Sequence, residues 1–320
     1  MQARREILEW AGQGRIAGAG VRRALEIGGV LPRAEQWRLF LDRLCLFLGA
    51  ALLGAGAIFF IAFNWDELGR YGKFALAQAP IIIALAAAWQ LGLDRVSGKA
   101  AIFFAALSLG ALLALIGQTY QTGADTYELF AVWAAAILPW ALVARFPALW
   151  VLWLALVNLA ASLYHQTFHG VFGMLFGPER LLWLLFAINT AALFAWETCA
   201  RLSMPWLAER WAPRLIALAG GITITWLALG AVMHDNTSPW TLAAWFGWIA
   251  ALYFAYRRLV KDLFMLAGGA LSAIVLLTAG FVRAMPMREA AVFLFIGLAV
   301  IGMSAAAGWW LRQVAREFGE

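Results

Sequence analysis

The sequence contains few of the residues on which soluble enzymes and disulfide-linked secreted proteins depend. Only 13% of its 320 residues are charged, and it has two Cys and three His. It lacks a Gly-x-Ser-x-Gly elbow, a Gly-rich phosphate loop and a His-Glu-x-x-His pair, so the common hydrolase, nucleotide and metalloprotease motifs are missing. Cys45 and Cys199 form no Cys-x-x-Cys pair and fall at predicted cytoplasmic helix ends, where thiols stay reduced. We therefore expect no disulfide and no cofactor, and the sequence favours a role other than an enzyme.

Apolar residues dominate the chain instead. They make up 64% of it, with a mean hydropathy of +0.79, whereas soluble domains have about 45–50%. A bilayer is therefore the solvent, and about 20 apolar residues make one crossing. Ten runs are predicted as crossings: Cys45–Phe63, Phe74–Leu93, Ala100–Ile116, Leu129–Val143, Ala148–Leu163, Leu181–Thr198, Leu215–Met233, Trp240–Tyr256, Leu263–Phe281 and Ala290–Leu311.

These runs are apolar on all faces, whereas the strands of a membrane barrel alternate apolar and polar residues. We therefore predict an all-α fold, a polytopic helical membrane bundle with about ten transmembrane helices. Arg145, Phe146 and Pro147 separate the fourth and fifth runs. Because Pro pushes the preceding residue out of the helical region, we predict a break there. A kink instead would lower the number of crossings and reverse the downstream topology.

Lys and Arg are distributed unevenly between the two ends of the runs. With the N-terminus inside, 19 of the 24 fall in inner segments, and the outer loops hold only Arg70, Lys73, Arg180, Arg283 and Arg288. Cytoplasmic loops of membrane proteins carry this excess. We expect a multi-pass protein of the bacterial inner (cytoplasmic) membrane with both termini in the cytoplasm. The formal net charge of +6 reflects that topology, and we expect no nucleic acid partner.

The segment before the first crossing shows helical spacing of apolar residues twice, at Ile7 and Leu8 and at Val21 and Leu25, with Gly residues between. We predict a short cytoplasmic helical hairpin at 1–43, a transmembrane bundle at 44–311 and a cytoplasmic tail at 312–320. The hairpin suits either a docking or sensing module or a basic amphipathic anchor on anionic lipid.

No Asp, Glu, Lys, Arg or His lies near the middle of any of the ten runs. Ionisable residues at depth mark proton relays and charged-substrate paths, so the pattern argues against a proton-coupled exchanger. Neutral polar residues remain there, among them Asn158, Asn189 and Thr190. These three are candidates for a neutral-solute path, or for interhelical hydrogen bonds worth less than about 2 kcal/mol each.

Two polar segments follow the first and third runs on the predicted outer face. Their candidate functional residues are Asn64, Trp65, Asp66, Glu67 and Lys73 in the first, and Gln118, Tyr120, Gly123 and Asp125 in the second. Because consecutive elements are usually neighbours, we expect the two segments to meet in one outer polar cap. The structural alternatives are an interfacial anchor in the first segment and a helix cap at Thr122 or Asp125 in the second.

His165 and His169 are four residues apart at the outer end of the fifth run, a spacing that can place two metal ligands on one helix face. No Cys or carboxylate lies beside them to complete a ligand set. They are weak candidates, and we expect no metal site.

At its two polar segments the chain resembles a family of bacterial predicted membrane proteins, domain of unknown function 2157. The shared features are a charged N-terminal hairpin, the Asn64-Trp65-Asp66 exit followed by Lys73, and Gly117-Gln118 and Tyr120 running to Gly123 and Asp125. The resemblance covers about Arg5 to Leu163, and hence 44–163 of the bundle. The family has no established activity, so the resemblance implies no mechanism and marks these residues as positions of interest.

Three functions remain open from the sequence. The first is an accessory or scaffold subunit of an inner-membrane complex, with membrane lipid and a membrane-protein partner around it. The second is a transporter of a neutral or lipidic solute. The third is a membrane enzyme using Asp66, Glu67 and Asp125 for general acid–base chemistry at the outer cap. The scarcity of ionisable residues at depth favours the first.

Overall fold

A computed structural model describes residues 2–31, 34–63, 69–120, 123–167, 178–202, 204–234, 240–285 and 290–319. These ranges hold α-helices and no strand, which confirms the all-α prediction. The helices are α1 (Gln2–Gly12), α2 (Gly18–Ile27), α3 (Ala34–Phe63), α4 (Arg70–Leu91), α5 (Val96–Tyr120), α6 (Thr126–Ala144), α7 (Pro147–Thr167), α8 (Pro178–Arg201), α9 (Trp211–Met233), α10 (Trp240–Phe254), α11 (Leu263–Ala284) and α12 (Ala290–Phe318). A 3-10 turn, Pro205–Leu207, precedes α9, and a π-helical turn, Ala255–Leu259, follows α10.

Within the described ranges, nine helices are long and apolar enough to cross a membrane: α3 to α9, α11 and α12. The polytopic helical membrane bundle is therefore confirmed. The predicted crossing Trp240–Tyr256 corresponds to α10, which has only 15 residues. It continues directly into the 5 residues of the π-helical turn, so the helical segment runs from Trp240 to Leu259.

By the density of its contacts the chain divides into two compact units. One is residues 39–216; the other is residues 1–38 together with 217–320. In the first unit, α6 ends at Ala144 and α7 begins at Pro147, as the Pro predicts. Arg145 connects them in the left-handed conformation, with φ 46° and ψ 49°, so the chain reverses within two residues. The predicted break between the fourth and fifth crossings is confirmed.

The helices α5 and α6 pack closely through one tryptophan. The Trp133 indole N–H donates to the carbonyl oxygen of Ala106 at 2.8 Å. Its ring lies directly over Gly110, where a Cβ atom would collide with it. Ile137 on α6 and Leu149 on α7 are fully buried beside this contact in the same hydrophobic core. Small residues at such contacts let membrane helices approach each other.

In the other unit, α1 and α2 form the helical hairpin predicted at the N-terminus. Ile7 on α1 is buried, and its side chain lies where a Cβ on Gly28 would be, so Gly at the end of α2 lets the two helices close. In residues 217–320, α11 begins at Asp262, whose carboxylate accepts from the Phe264 N–H at 3.0 Å, a helix N-cap. The π-helical turn and α12 are joined by an ion pair between Arg257 and Glu317 at 2.8 Å.

Candidate functional site

The predicted outer polar cap is described only in part. Asn64, Trp65, Asp66 and Glu67 lie outside the described residues. The Arg70 guanidinium lies over the Tyr120 ring at 4.6 Å, and Phe74 approaches the same ring at 6.0 Å between centroids. The start of α4 and the end of α5 therefore meet at Tyr120, and a cation–π contact at this exposed position is worth about 0.5–1 kcal/mol.

The structure describes four further residues of the predicted cap, at the ends of α4, α5 and α6. Lys73 is half-buried in the first turn of α4, and Gln118 is exposed on the last turn of α5. Gly123 has φ +65°, a conformation that favours Gly over other residues. Asp125 occupies the N-cap position of α6, but its side chain makes no cap hydrogen bond.

The histidines bring no described ligand set together. His169 lies outside the described residues. His234, at the end of α9, has its Nδ1 3.3 Å from the Gly230 carbonyl oxygen. Among the described residues no group of three His, Cys, Asp or Glu side chains is placed to hold a metal ion.

Asn158 on α7 and Asn189 on α8 form a reciprocal amide pair. The Asn189 Nδ2 donates to Asn158 Oδ1 at 2.6 Å, and the Asn158 Nδ2 donates to Asn189 Oδ1 at 3.3 Å. Each Nδ2 also donates to the carbonyl four residues earlier, Leu154 or Leu185. All four amide N–H groups are therefore satisfied inside the protein, which is the arrangement that buried polar groups require in hydrocarbon.

Thr190, the third candidate for a polar path, differs from the pair. Its Oγ1 is buried and has no hydrogen-bond partner in the described part of the chain. It lies one position beyond Asn189, so its side chain points away from the amide pair around the helix. The three candidates thus do not share one polar surface.

Residues 39–216 also enclose a cavity between helices, which we call the tryptophan cavity. It has a volume of about 660 Å³. Its aromatic walls are two T-shaped pairs: Trp150 and Trp153 on α7, with centroids 5.8 Å apart, and Trp196 on α8 with Trp206 in the 3-10 turn, 6.1 Å apart. Arg145, Cys199 and Met204 complete the part of its lining that carries charge or sulfur.

Arg145 is the one charged residue among the described residues of this lining. It is exposed, and its side chain makes no hydrogen bond or ion pair with any residue that the structure describes. A second arginine of the same unit is already neutralised, because Arg210 Nη1 lies 3.0 Å from Glu197 Oε1. From the sequence, Arg145 was assigned to topology and to the break before Pro147. The tryptophans were missed, although the three-residue spacing of Trp150 and Trp153 places them on one helix face.

A second cavity lies between α9, α10 and α11, within residues 217–320, and we call it the glycine cavity. It has a volume of about 280 Å³ and includes Gly221, Gly268 and Gly269 in its lining. Two polar side chains of the lining, Ser272 and Thr225, belong to one series of hydrogen bonds, which begins at the neighbouring Trp245. Trp245 donates to Ser272 Oγ at 2.9 Å, Ser272 and Thr225 share a bond of 2.6 Å, and Thr225 donates to the Gly221 carbonyl at 2.6 Å.

Comparison with known proteins gives one match. Residues 8–150 match the model of a family described as predicted membrane protein, domain of unknown function 2157. The resemblance expected at the polar segments is therefore confirmed for the first half of the chain, and the match ends at the start of α7. Neither a curated protein nor a solved structure matches. Of the tryptophan cavity, only Leu142, Arg145 and Trp150 fall inside the matched residues.

Proposed function

We propose that this membrane protein is an accessory or scaffold subunit of a complex in the bacterial inner membrane, with both termini in the cytoplasm. The orientation is supported by the cations at the helix connections on one end of the spans. Arg95 follows α4, Arg145 follows α6, and Arg257, Arg258 and Lys261 follow α10. This is the distribution expected at the cytoplasmic face.

An even number of crossings is needed to bring both termini to one side. The helical segment Trp240–Leu259 has 20 residues, which is about 30 Å at 1.5 Å per residue and matches the hydrocarbon core. Counted with the nine spans α3 to α9, α11 and α12, it makes ten crossings. The two arginines in its last turn, Arg257 and Arg258, then lie at the cytoplasmic surface.

The packing of α12 carries the proposal. In the most apolar 18-residue stretch of α12 none of the residues is buried inside the protein. In the corresponding stretch of α5, 39% of the residues are buried. The exposed side of α12 includes small residues, Gly302, Ala305 and Ala306. Small residues let another membrane helix approach closely, and packing rather than hydrophobicity drives such association. A face of this kind suits a partner helix.

The polar residues at membrane depth support the same function. The amide pair of Asn158 and Asn189 and the Trp245, Ser272 and Thr225 chain use their N–H and O–H groups within the protein. Groups that bond each other hold helices together and leave little to offer a passing solute.

The test is purification of the full chain from native membranes in mild detergent, followed by mass spectrometry of bound proteins. Gly302→Leu is the test variant and Gly247→Leu on α10 the control, since both glycines are exposed and a Cβ at either meets nothing within 4 Å. We expect a stoichiometric membrane-protein partner, reduced about tenfold by Gly302→Leu alone, as a loss of about 1.4 kcal/mol at a helix contact predicts. No stoichiometric partner, or equal loss in both variants, would contradict the proposal.

A transporter of a neutral or lipidic solute is the second candidate, and the two apolar cavities favour it. The membrane-enzyme alternative depends on Asp66, Glu67 and Asp125. Of these, the structure describes only Asp125, at the exposed start of α6.

A further inference from the structure

The tryptophan cavity combines an apolar interior with indole donors that have no acceptor in the described part of the chain. The indole Nε1 atoms of Trp150 and Trp196 are buried and have no hydrogen-bond partner among the described residues. Trp196 is only 7% exposed. A buried indole N–H usually finds a partner, and leaving one without an acceptor costs about 1–3 kcal/mol. Two such groups in one lining can take an acceptor from outside the residues that the structure describes.

Arg145 adds a positive charge at the edge of the same cavity, and no described residue serves as its counter-ion. Its backbone is fixed in the left-handed conformation by the short connection between α6 and α7. An arginine guanidinium is a planar set of donors that matches phosphate oxygens, and it is less strongly hydrated than a lysine ammonium. No carboxylate occurs in the described lining, so nothing there would attract an ammonium group or repel a phosphate.

The position of the cavity along the helices selects the kind of phosphate. Arg145 ends α6, Cys199 lies in the last turn of α8, and Met204 and Trp206 lie in the connection to α9, so the cavity sits at one end of the spans. Tryptophans and arginines at this depth lie at the boundary between headgroups and acyl chains. A ligand there has an anionic group at the surface and hydrocarbon below it.

We propose that the tryptophan cavity is a binding site for an anionic phospholipid. The phosphate accepts hydrogen bonds from the Arg145 guanidinium, and an acyl chain lies against Trp153, Trp206 and Leu154. Binding a lipid here goes beyond the scaffold function and does not depend on it.

The two cysteines of the chain provide a built-in readout. Cys199 lines the cavity, whereas Cys45 is exposed on α3 and is not among the residues of that lining. The full chain is placed in nanodiscs of phosphatidylcholine alone or of equal parts phosphatidylcholine and phosphatidylglycerol. N-ethylmaleimide is added, and peptide mass spectrometry gives the alkylation rate of each thiol. The ratio of the two lipid conditions is the measured quantity.

We expect phosphatidylglycerol to slow alkylation of Cys199 about tenfold, as for a site filled about nine-tenths of the time, because protection grows with ligand concentration over Kd. Cys45 in the same sample corrects for the charge of the membrane surface and is expected to change little. Equal protection of Cys199 in nanodiscs with and without phosphatidylglycerol would overturn the proposal, because any phospholipid would then protect the thiol through its acyl chains. So would protection by inorganic phosphate in detergent, which would assign the site to free anions.

Three variants assign the effect to the guanidinium. Arg145→Asn removes the charge and suits a left-handed backbone position, since Asn adopts that conformation readily. It is expected to abolish the phosphatidylglycerol effect, whereas Arg145→Lys keeps most of it. Arg95→Gln removes an exposed charge from the α4–α5 connection, outside the cavity lining, and is expected to leave protection unchanged. Wild-type protection in Arg145→Asn, with gel filtration and circular dichroism showing an intact fold, would refute the assignment.

Discussion

The tryptophan cavity and the glycine cavity are both apolar spaces between membrane helices, but they use their polar groups in opposite ways. In the glycine cavity Ser272 and Thr225 bond each other, and Ser272 also accepts from the neighbouring Trp245. In the tryptophan cavity Arg145 makes no ion pair within the described chain, and two indole N–H groups have no acceptor there. In the glycine cavity the hydroxyl groups of Ser272 and Thr225 bond each other, whereas the tryptophan cavity has at its edge an arginine with no described counter-ion.

The difference shows that cavity size and apolar lining alone do not identify a binding site in a membrane protein. Hydrocarbon supplies no hydrogen-bond partners. Polar groups inside the bundle therefore form hydrogen bonds either with each other or with a bound ligand. The charge of Arg145 in one lining, and the bonded hydroxyl groups of Ser272 and Thr225 in the other, separate the two cases. Substitutions in and around the two cavities test the comparison directly.

The largest effect on stability is expected from Ser272→Ala in the glycine cavity. The change removes the acceptor of the Trp245 indole, which is 5% exposed, and breaks the bond to Thr225. A buried donor without an acceptor costs about 1–3 kcal/mol, so we expect unfolding in detergent at clearly lower temperature or denaturant concentration. Thr278→Val is the control, because the described bond of Thr278 Oγ1 is to the carbonyl of Ile274 on its own helix. Equal losses of stability in both variants would show that the hydrogen bonds among Trp245, Ser272 and Thr225 have no special role.

Trp206→Leu is expected to weaken the tryptophan cavity while leaving the charge in place. It removes the T-shaped contact with Trp196, whose centroid is 6.1 Å away, and one aromatic wall of the acyl-chain contact. We expect about a fivefold loss of phosphatidylglycerol protection at Cys199, since an aromatic pair contributes about 0.5–1.5 kcal/mol. Trp89→Leu, at a side chain 89% exposed on α4, is expected to have no effect. If the two variants behave alike, the aromatic wall does not contribute.

Gly268→Ala is expected to stabilise the protein slightly by filling part of the glycine cavity. A Cβ there meets nothing within 4 Å, and the residue is inside α11. Replacing a helical Gly by Ala gains about 0.5–1 kcal/mol when the backbone is helical and space is available. A higher unfolding temperature in detergent is the readout. A lower unfolding temperature would show that a bound molecule occupies the space. The glycine cavity would then be a ligand site, as proposed for the tryptophan cavity.

The smallest effect is expected in a double-mutant cycle of Asn158→Ala and Asn189→Ala. The reciprocal bonds predict a coupling energy of about 0.6 kcal/mol, the average for side-chain hydrogen bonds in a membrane bundle. The cycle compares the unfolding free energies of the two single variants, the double variant and the wild type. A coupling energy of zero would contradict the stabilising role of the amide pair. The two amides would then be available to line a solute path.

Much of the fold follows directly from the sequence. Pro147 predicts the break after α6, and apolar spacing around Ile7 and Val21 predicts the N-terminal hairpin, because both depend on residues close in the chain. The shortness of α10 was not predictable. Hydropathy continues to Tyr256, whereas the α-helical hydrogen bonds end at Phe254 and change to the π pattern.

The tryptophan cavity could not be found from the sequence because its walls come from distant positions. Trp196 and Trp206 lie more than forty residues after Trp153, and only helix packing brings them to the same space as Arg145. The amide pair was found as two separate residues, yet their mutual bonding, which decides their role, depends on the rotation of α7 and α8. Tertiary packing of this kind leaves no local pattern in a chain that is apolar throughout.

Native mass spectrometry of the full chain, released from its own membrane into the gas phase, tests the contrast between the cavities most directly. The account predicts one tightly held anionic phospholipid on each wild-type chain. It predicts loss of that lipid in Arg145→Asn and its retention in Gly268→Ala. A wild-type chain without lipid, or one that keeps the same lipid after Arg145→Asn, would contradict it.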